Sequence, residues 1–352
     1  MESRSDQLSE IGFYTMSDER ARSSCATSPL MRAEMILTSR CNFRCPYCRP
    51  QRPECRGDMP LATAEETLRI WCKEGLRNVR FSGGEPTLFR GLISLVSVAK
   101  EWGCKRIAIS TNGSAPIDTY SELLRAGVND VSASLDACCS ETADRMAGRL
   151  HVFDAVAANI RWLAERCYVT VGVVVTDANI GELARTIAFA DSLGVADIRV
   201  IPAAQSGAGL DVGSIPDSIL ARRPILRYRL AGMDAGRTVR GLTSSDCGTC
   251  HLNRDDCIVA GKWHFPCVIH FREGGDPIGE VGPTMREDRF RWLENRDSRQ
   301  DPICRANCLD VCRDYNNRAE KLRSQRFPGA APTGDAGAAP DVGAPAMAGG
   351  VR

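Results

Sequence analysis

Short apolar, β-branched runs alternate with longer amphipathic stretches over the first two thirds of the chain. The apolar runs predict strands at 34–37, 79–82, 106–110, 130–134, 168–175 and 197–201. The stretches between them have apolar residues at helical spacing, with Thr63 predicted as a helix N-cap and Gly127 as a helix stop. Six βα repeats with short connections predict an α/β fold with a parallel sheet, either a barrel or an open doubly wound sheet.

The pattern also divides the chain. Residues 1–32 form a polar extension that we expect to be flexible, and 33–204 contain the βα repeats. Residues 205–242 are predicted as a connector, and 243–326 as a small Cys-rich domain with little helical periodicity before residue 290. The Gly/Ala/Pro-rich tail at 327–352 is predicted to be disordered.

Charge and apolar content exclude several functions. The 352 residues have a formal net charge of +1, which argues against partners such as nucleic acid or an anionic membrane. No apolar run is long enough to span a bilayer, and the N-terminal segment lacks the apolar core of a signal peptide. We therefore expect a cytoplasmic protein. In a reducing compartment, metal or cluster ligation explains grouped members of the seventeen cysteines better than disulfides do.

Cys41, Cys45 and Cys48 directly follow the first predicted strand at C-x3-C-x2-C spacing. Three thiols this close can bind three irons of a four-iron cluster, and the fourth iron, without a protein ligand, becomes a reaction site. A zinc knuckle is the alternative.

This motif resembles that of the radical S-adenosylmethionine (radical SAM) family, including the aromatic residue Tyr47 before the last cysteine. The resemblance implies a partial (β/α)6 TIM-type barrel with the cluster loop after its first strand. It also implies a 4Fe-4S cluster whose open iron binds S-adenosylmethionine (SAM). One electron, from a flavodoxin- or ferredoxin-like donor, then cleaves SAM to a 5'-deoxyadenosyl radical.

Gly83, Gly84 and Glu85 end the second predicted strand, followed by Pro86. Two glycines allow a close backbone approach, and a carboxylate can pair with an ammonium group. The segment resembles the GGEP motif of the same family, which implies that Glu85 binds the amino group of SAM. The alternative is an ordinary tight βα turn.

Small polar residues follow the third and fourth strands, and resemble the TNG and SLD segments of the family. The resemblance implies that Asn112 and Ser134 bind the ribose of SAM, with Asp136 in the same segment, although turn and cap chemistry also explains them. On the last two strands, Val173 or Val175, and Ile201 with Pro202, are candidates to line the adenine.

Seven further cysteines are candidate metal ligands in the C-terminal region: Cys247, Cys250, Cys257, Cys267, Cys304, Cys308 and Cys312. The residues before Cys267 predict a hairpin with a glycine at its bend. The pattern resembles the SPASM and twitch domains of the family, which implies one or two auxiliary 4Fe-4S clusters. Structural zinc is the alternative. The C-x2-C opening is similar to the GTP-cyclising enzyme of molybdenum-cofactor biosynthesis, but that enzyme's Arg-rich segment is replaced here by 251–256.

The resemblance thus predicts a radical SAM oxidoreductase that abstracts hydrogen from a peptide or a natural-product-like small molecule, with net oxidation. A nucleotide-converting enzyme of the GTP 3',8-cyclase type is the second hypothesis. A non-catalytic iron–sulfur or zinc protein is the third.

Overall fold

Six parallel strands form the centre of the structure, at the positions that the apolar runs predict. The computed structural model describes residues 18–49, 51–204, 215–294 and 296–326. The strands pair in chain order, each with the next one along the sequence. They are β1 (Arg32–Thr38), β2 (Asn78–Gly83), β3 (Arg106–Thr111), β4 (Asp130–Ser134), β5 (Tyr168–Val175) and β6 (Asp197–Pro202). This confirms the predicted α/β class and the partial (β/α)6 barrel.

Helices connect the strands and continue into the C-terminal region. They are α1 (Asp18–Ser23), α2 (Leu61–Lys73), α3 (Leu92–Glu101), α4 (Ile117–Ala126), α5 (Ser140–Ala147), α6 (Phe153–Ala164), α7 (Leu183–Ser192), α8 (Asp217–Arg222), α9 (Pro224–Asp234), α10 (Val268–Arg272), α11 (Met285–Glu294), α12 (Pro302–Asn307) and α13 (Asp310–Arg326).

The main core lies between the strands and the helices that cover them. Alternate strand residues such as Val131, Val169 and Ile198 are fully buried and join the apolar faces of the helices in one cluster. The other face of each strand points into the barrel and is more polar, with serines on neighbouring strands. Because parallel strands present their carboxyl ends at one edge, the loops that follow them meet there.

The C-terminal region continues the barrel sheet. Strand β7 (Asp256–Ala260) pairs in parallel with β1, and β8 (Trp263–Phe265) and β9 (Gly279–Glu280) add antiparallel strands. Gly261 has φ +59° between β7 and β8, a backbone conformation that favours glycine. The predicted hairpin is therefore present, but it extends the barrel sheet.

The described part of the N-terminal extension is packed, which differs from the expected flexibility. Ala21 in α1 is fully buried in a cluster with Tyr315 and Ala319 of α13. Arg20 pairs with Asp255, and Ser24 Oγ donates to the same carboxylate at 3.0 Å. Sequence periodicity misses this arrangement because the contacts are made almost 300 residues along the chain.

Three local predictions also differ from the structure. Helix α2 begins at Leu61, and Thr63 lies inside it, where its carbonyl oxygen accepts from Thr67 Oγ1. The connector contains α8 and α9, and the long helix α13 was not predicted. The predicted tail, residues 1–17 and residues 205–214 lie outside the described residues. Within the described part of the chain, no helix combines the length and apolar character needed to cross a bilayer.

Candidate active site

The loop after β1 carries three thiols to the mouth of the barrel. Cys41, Cys45 and Cys48 line one cavity, of about 260 Å³. Helix α5 holds the middle of this loop, because Arg44 N donates to Ala147 O at 2.8 Å. Asn112 Nδ2 lies 3.9 Å from the sulfur of Cys41.

The two glycines after β2 pack directly on this thiol-bearing loop. Gly84 N donates to Thr38 O at 2.7 Å, and Glu85 N donates to Arg40 O at 2.8 Å. A Cβ on Gly83 would lie 2.4 Å from Thr38 O, and one on Gly84 would lie 2.3 Å from Arg40 O. Both positions therefore require glycine for steric reasons, and the two loops form one unit.

The carboxylate of Glu85 lies beneath the cavity and is not among its lining groups. It is fully buried and accepts hydrogen bonds from Asn112 N at 2.7 Å, Thr111 Oγ1 at 2.9 Å and Thr87 Oγ1 at 2.8 Å. Burial raises the pKa of Glu85, while these donors lower it. The contacts make Glu85 a brace between the loops after β2 and β3. Its predicted contact with the SAM amino group stays a prediction.

Tyr47 and Asp136 connect the thiol loop to the end of β4. The phenol of Tyr47 donates to one oxygen of Asp136, and Val174 N donates to the other at 2.7 Å. Burial raises the pKa of Asp136 to about 6, and the hydrogen bond from Tyr47 lowers it. The pair orients the Tyr47 ring at the cavity wall.

Most of the predicted cofactor residues meet in this cavity. Its lining includes Tyr47, Gly83, Gly84, Asn112, Ser134, Asp136 and Val173. Pro202, like Glu85, is outside the lining, and the neighbouring Ile201 is inside it. The individual roles of these residues toward SAM stay predictions.

Sequence reasoning missed two arginines on inward-facing positions of the barrel. Arg199 on β6 lines the cavity, and Arg80 lies on β2. Within the described residues, neither Nε has a hydrogen-bond partner. Burial lowers the pKa of Arg199 to about 10, and the charge of Arg80 lowers it further, while Glu34 opposes this. A charged residue within an apolar strand, as in Asp197–Pro202, is the sequence signal that indicates such a site.

The residues around the cavity fit a bound iron–sulfur cluster and SAM. Thiolates are the ligands that iron–sulfur clusters use, and the three cysteines reach one space. Burial raises the pKa of Cys41, and raises that of Cys45 to about 11. These thiols therefore keep their protons until metal binding displaces them. The serines, Asn112 and the backbone groups beside them suit a polar ligand.

A second group of thiols lies in the C-terminal region. Cys250 precedes a short 3-10 turn, Cys267 caps α10, and the others lie on or between α12 and α13. Burial raises the pKa of every thiol in this group, to about 12 for Cys250, and their mutual charges raise it further. The members of this auxiliary thiol group are Cys250, Cys267, Cys304, Cys308 and Cys312. Five buried thiols are sufficient to ligate one four-iron cluster.

The other two cysteines of the predicted set stand apart. Cys257 is fully buried in β7 and belongs to the main apolar core, so the structure does not bring it to the auxiliary thiol group. The alternation of side chains along a strand explains this difference. Cys247 lies within 4.8 Å of His251 and Glu320 ligand atoms. Both ring nitrogens of His251 already have partners, Glu320 at 2.7 Å and Arg254.

Comparison with known proteins agrees with this geometry. Residues 35–190 match the family model described as Radical SAM superfamily. The sequence named Probable GTP 3',8-cyclase, from Saccharolobus solfataricus, is 32% identical over 186 residues. The match covers 51% of this chain and 59% of that relative, so the chain spans less than two thirds of the curated relative's length.

Two solved structures share the fold at low sequence identity. Streptococcus suis SuiB bound to precursor peptide SuiA has a TM-score of 0.55 at 14% identity, covering 86% of this chain and 71% of SuiB. The enzyme anSMEcpe with bound AdoMet has a TM-score of 0.54 at 16% identity, covering 85% of this chain and 97% of that one. At these identities the likeness concerns the fold.

Proposed function

Because this chain carries a radical SAM domain, we propose that it reductively cleaves SAM and abstracts hydrogen from a substrate bound in the barrel. One observation carries the proposal. The thiols of Cys41, Cys45 and Cys48 line the same cavity as the backbone of Gly83 and Gly84. A cluster ligand set and a loop suited to an amino-acid-like ligand are therefore adjacent at the carboxyl edge of a parallel sheet.

The surrounding residues give each part of the site a task. When bound at the three thiols, a 4Fe-4S cluster supplies the electron that cleaves SAM to methionine and a 5'-deoxyadenosyl radical. Gly83 and Gly84 keep the loop close enough to reach that ligand. Asn112 and Ser134 offer polar side chains at the cavity wall, and the buried pair Tyr47 and Asp136 fixes the wall opposite them.

We propose a peptide or a natural-product-like small molecule as the substrate. The fold likeness to SuiB, whose structure contains the precursor peptide SuiA, supports a peptide. The auxiliary thiol group supports net oxidation, since a second cluster held there would accept an electron from the substrate. The enzyme would then be an oxidoreductase that uses a flavodoxin- or ferredoxin-like electron donor.

The test is SAM cleavage by anaerobically reconstituted protein with dithionite as reductant. We expect 5'-deoxyadenosine from the wild-type chain and none from Cys45→Ala. Both proteins should retain auxiliary iron. Zinc without iron in the purified protein, or equal 5'-deoxyadenosine from the variant, would contradict the proposal.

A nucleotide substrate is the second candidate, and Arg199 is the observation that favours it. Its guanidinium lies at the cavity and has no ion pair within the described residues, with Arg80 beside it. An anionic group, such as a phosphate, would satisfy these cations. The relative from Saccharolobus solfataricus carries the name of a GTP 3',8-cyclase.

GTP added to the reconstituted protein separates the two candidates. A nucleotide-converting enzyme would increase 5'-deoxyadenosine formation when GTP is present, and Arg199→Met would remove the increase. The peptide proposal instead expects GTP to have no effect. Arg106→Met, at a partly buried arginine of β3 outside the cavity lining, is the matched control.

A further inference from the structure

Helix α10 connects the auxiliary thiol group to the loop after β2. Its N-cap is Cys267, whose sulfur accepts from His270 N at 3.4 Å. At its other end, Arg272 Nη2 donates to the carbonyl oxygen of Gly83 at 3.1 Å. A five-residue helix therefore spans from an auxiliary thiol to the Gly-Gly segment of the candidate SAM site.

The bond from Arg272 fixes one particular peptide group. The carbonyl of Gly83 and the N–H of Gly84 belong to the same planar unit. That N–H donates to Thr38 O at 2.7 Å, so the unit is held at its oxygen by the C-terminal region and at its nitrogen by the strand before Cys41. Glycines flank this unit on both sides, and without one of the two bonds it is free to rotate.

The turn after α10 makes further contacts with the thiol loop. Glu273 pairs with Arg49, which directly follows Cys48. Arg52 donates to the carbonyl oxygens of Gly274, at 3.3 Å, and Gly275. The loops on both sides of the candidate SAM site are thus bonded to the same short turn.

Helix α10 is also tied to a second thiol-bearing helix. His270 Nε2 lies 3.4 Å from Asp301 Oδ2, and Asp301 caps α12 by accepting from Cys304 N at 3.1 Å. Phe271 of the same helix packs edge-on against Phe265, with ring centroids 5.0 Å apart. A shift of the auxiliary thiols would therefore move α10 as a body.

We propose that Arg272 is a positioning residue for SAM binding, and that α10 couples the state of the auxiliary thiol group to SAM affinity. This inference rests on the proposed function, since it assumes that SAM binds at Gly83 and Gly84. Arg272 acts through the peptide group of Gly83 and Gly84 and does not line the cavity. Coupling of this kind is reciprocal, so SAM binding also stabilises the arrangement of the thiols.

The first test measures hydrogen exchange at the Gly84 amide in the protein without cofactors. Arg272→Ala should raise its exchange rate about tenfold, because a charge-assisted hydrogen bond to its peptide unit is lost. Arg272→Lys keeps a cationic donor and should restore most of the protection. Arg286→Ala is the matched control, since Arg286 also donates from a partly buried position to a distant carbonyl, that of Ala26. Unchanged exchange in Arg272→Ala would overturn the proposal.

The second test measures SAM binding to reconstituted protein by equilibrium dialysis. We expect Arg272→Ala to weaken binding about tenfold with the same iron content, and Arg272→Lys to recover it. Cys267→Ser should weaken binding similarly, and the double variant should be no weaker than either single variant, as expected for one shared route. Additive losses would refute the coupling. Wild-type protein that binds no SAM would refute the proposed function instead.

Discussion

The phenol of Tyr47 donates a hydrogen bond to the buried carboxylate of Asp136, and thereby joins the thiol loop to the end of β4. The two residues lie 89 positions apart in the chain. The other carboxylate oxygen accepts from Val174 N, so the pair also reaches β5. One side chain of the cluster motif is thus locked to two strands of the barrel.

Tyr47→Phe tests this connection. The substitution leaves a buried carboxylate oxygen without its donor, so we expect a loss of about 1–3 kcal/mol in the free energy of unfolding. The pKa of Asp136 should rise further, since the lost hydrogen bond lowers it. Urea unfolding of the protein without cofactors measures the change. Tyr168→Phe is the control, because its hydroxyl makes no hydrogen bond within the described residues, and equal stability losses in the two variants would contradict the assignment.

Gly84→Ala tests the close approach of the two loops. A Cβ at this position would lie 2.3 Å from Arg40 O and 2.7 Å from Arg40 C, and backbone atoms cannot move aside cheaply. We expect a destabilisation of about 1–3 kcal/mol, together with weakened SAM binding. Gly181→Ala is the matched control, since a Cβ there meets nothing within 4 Å. Normal SAM binding by Gly84→Ala would show that the loop does not depend on this approach.

The barrel was predictable because its determinants are local. Apolar runs such as Tyr168–Val175 indicate strands wherever the chain folds, and the Gly-Gly segment follows the second of them. The pairing of β7 with β1 was not predictable, because it joins segments more than 200 residues apart. Helix α13 is so polar that its buried residues, Tyr315 and Ala319, give only a weak periodic signal.

Cys257→Val tests the division of the C-terminal cysteines. The thiol is fully buried in the apolar core of the barrel, so an apolar side chain of similar size should cost less than about 1.5 kcal/mol and leave auxiliary iron unchanged. Cys267→Val should instead lower iron and sulfide per chain, because Cys267 belongs to the auxiliary thiol group. Iron loss in Cys257→Val, with the fold intact by circular dichroism, would return Cys257 to the ligand set.

Asp197 predicts a pH dependence of stability. Its carboxylate, fully buried at the start of β6, accepts from Ile225 N at 2.9 Å and from Ile198 N at 2.8 Å. Burial raises the pKa of Asp197 from 3.8 to about 6, so the folded protein holds this proton more tightly than the unfolded chain does. The contribution to stability is therefore complete below pH 3.8 and is lost as the pH rises to about 6.

The loss expected from this one carboxyl is about 3 kcal/mol, since each pKa unit corresponds to about 1.4 kcal/mol. Urea unfolding of the wild type and of Asp197→Asn at several pH values between 4 and 7 measures it. The variant is less stable at low pH, because its amide offers one acceptor fewer to the N–H groups around it. Its free energy of unfolding should nevertheless fall less steeply with pH than that of the wild type. Other carboxyls contribute equally to both proteins, so parallel curves would mean that Asp197 has the same pKa in the folded and unfolded states.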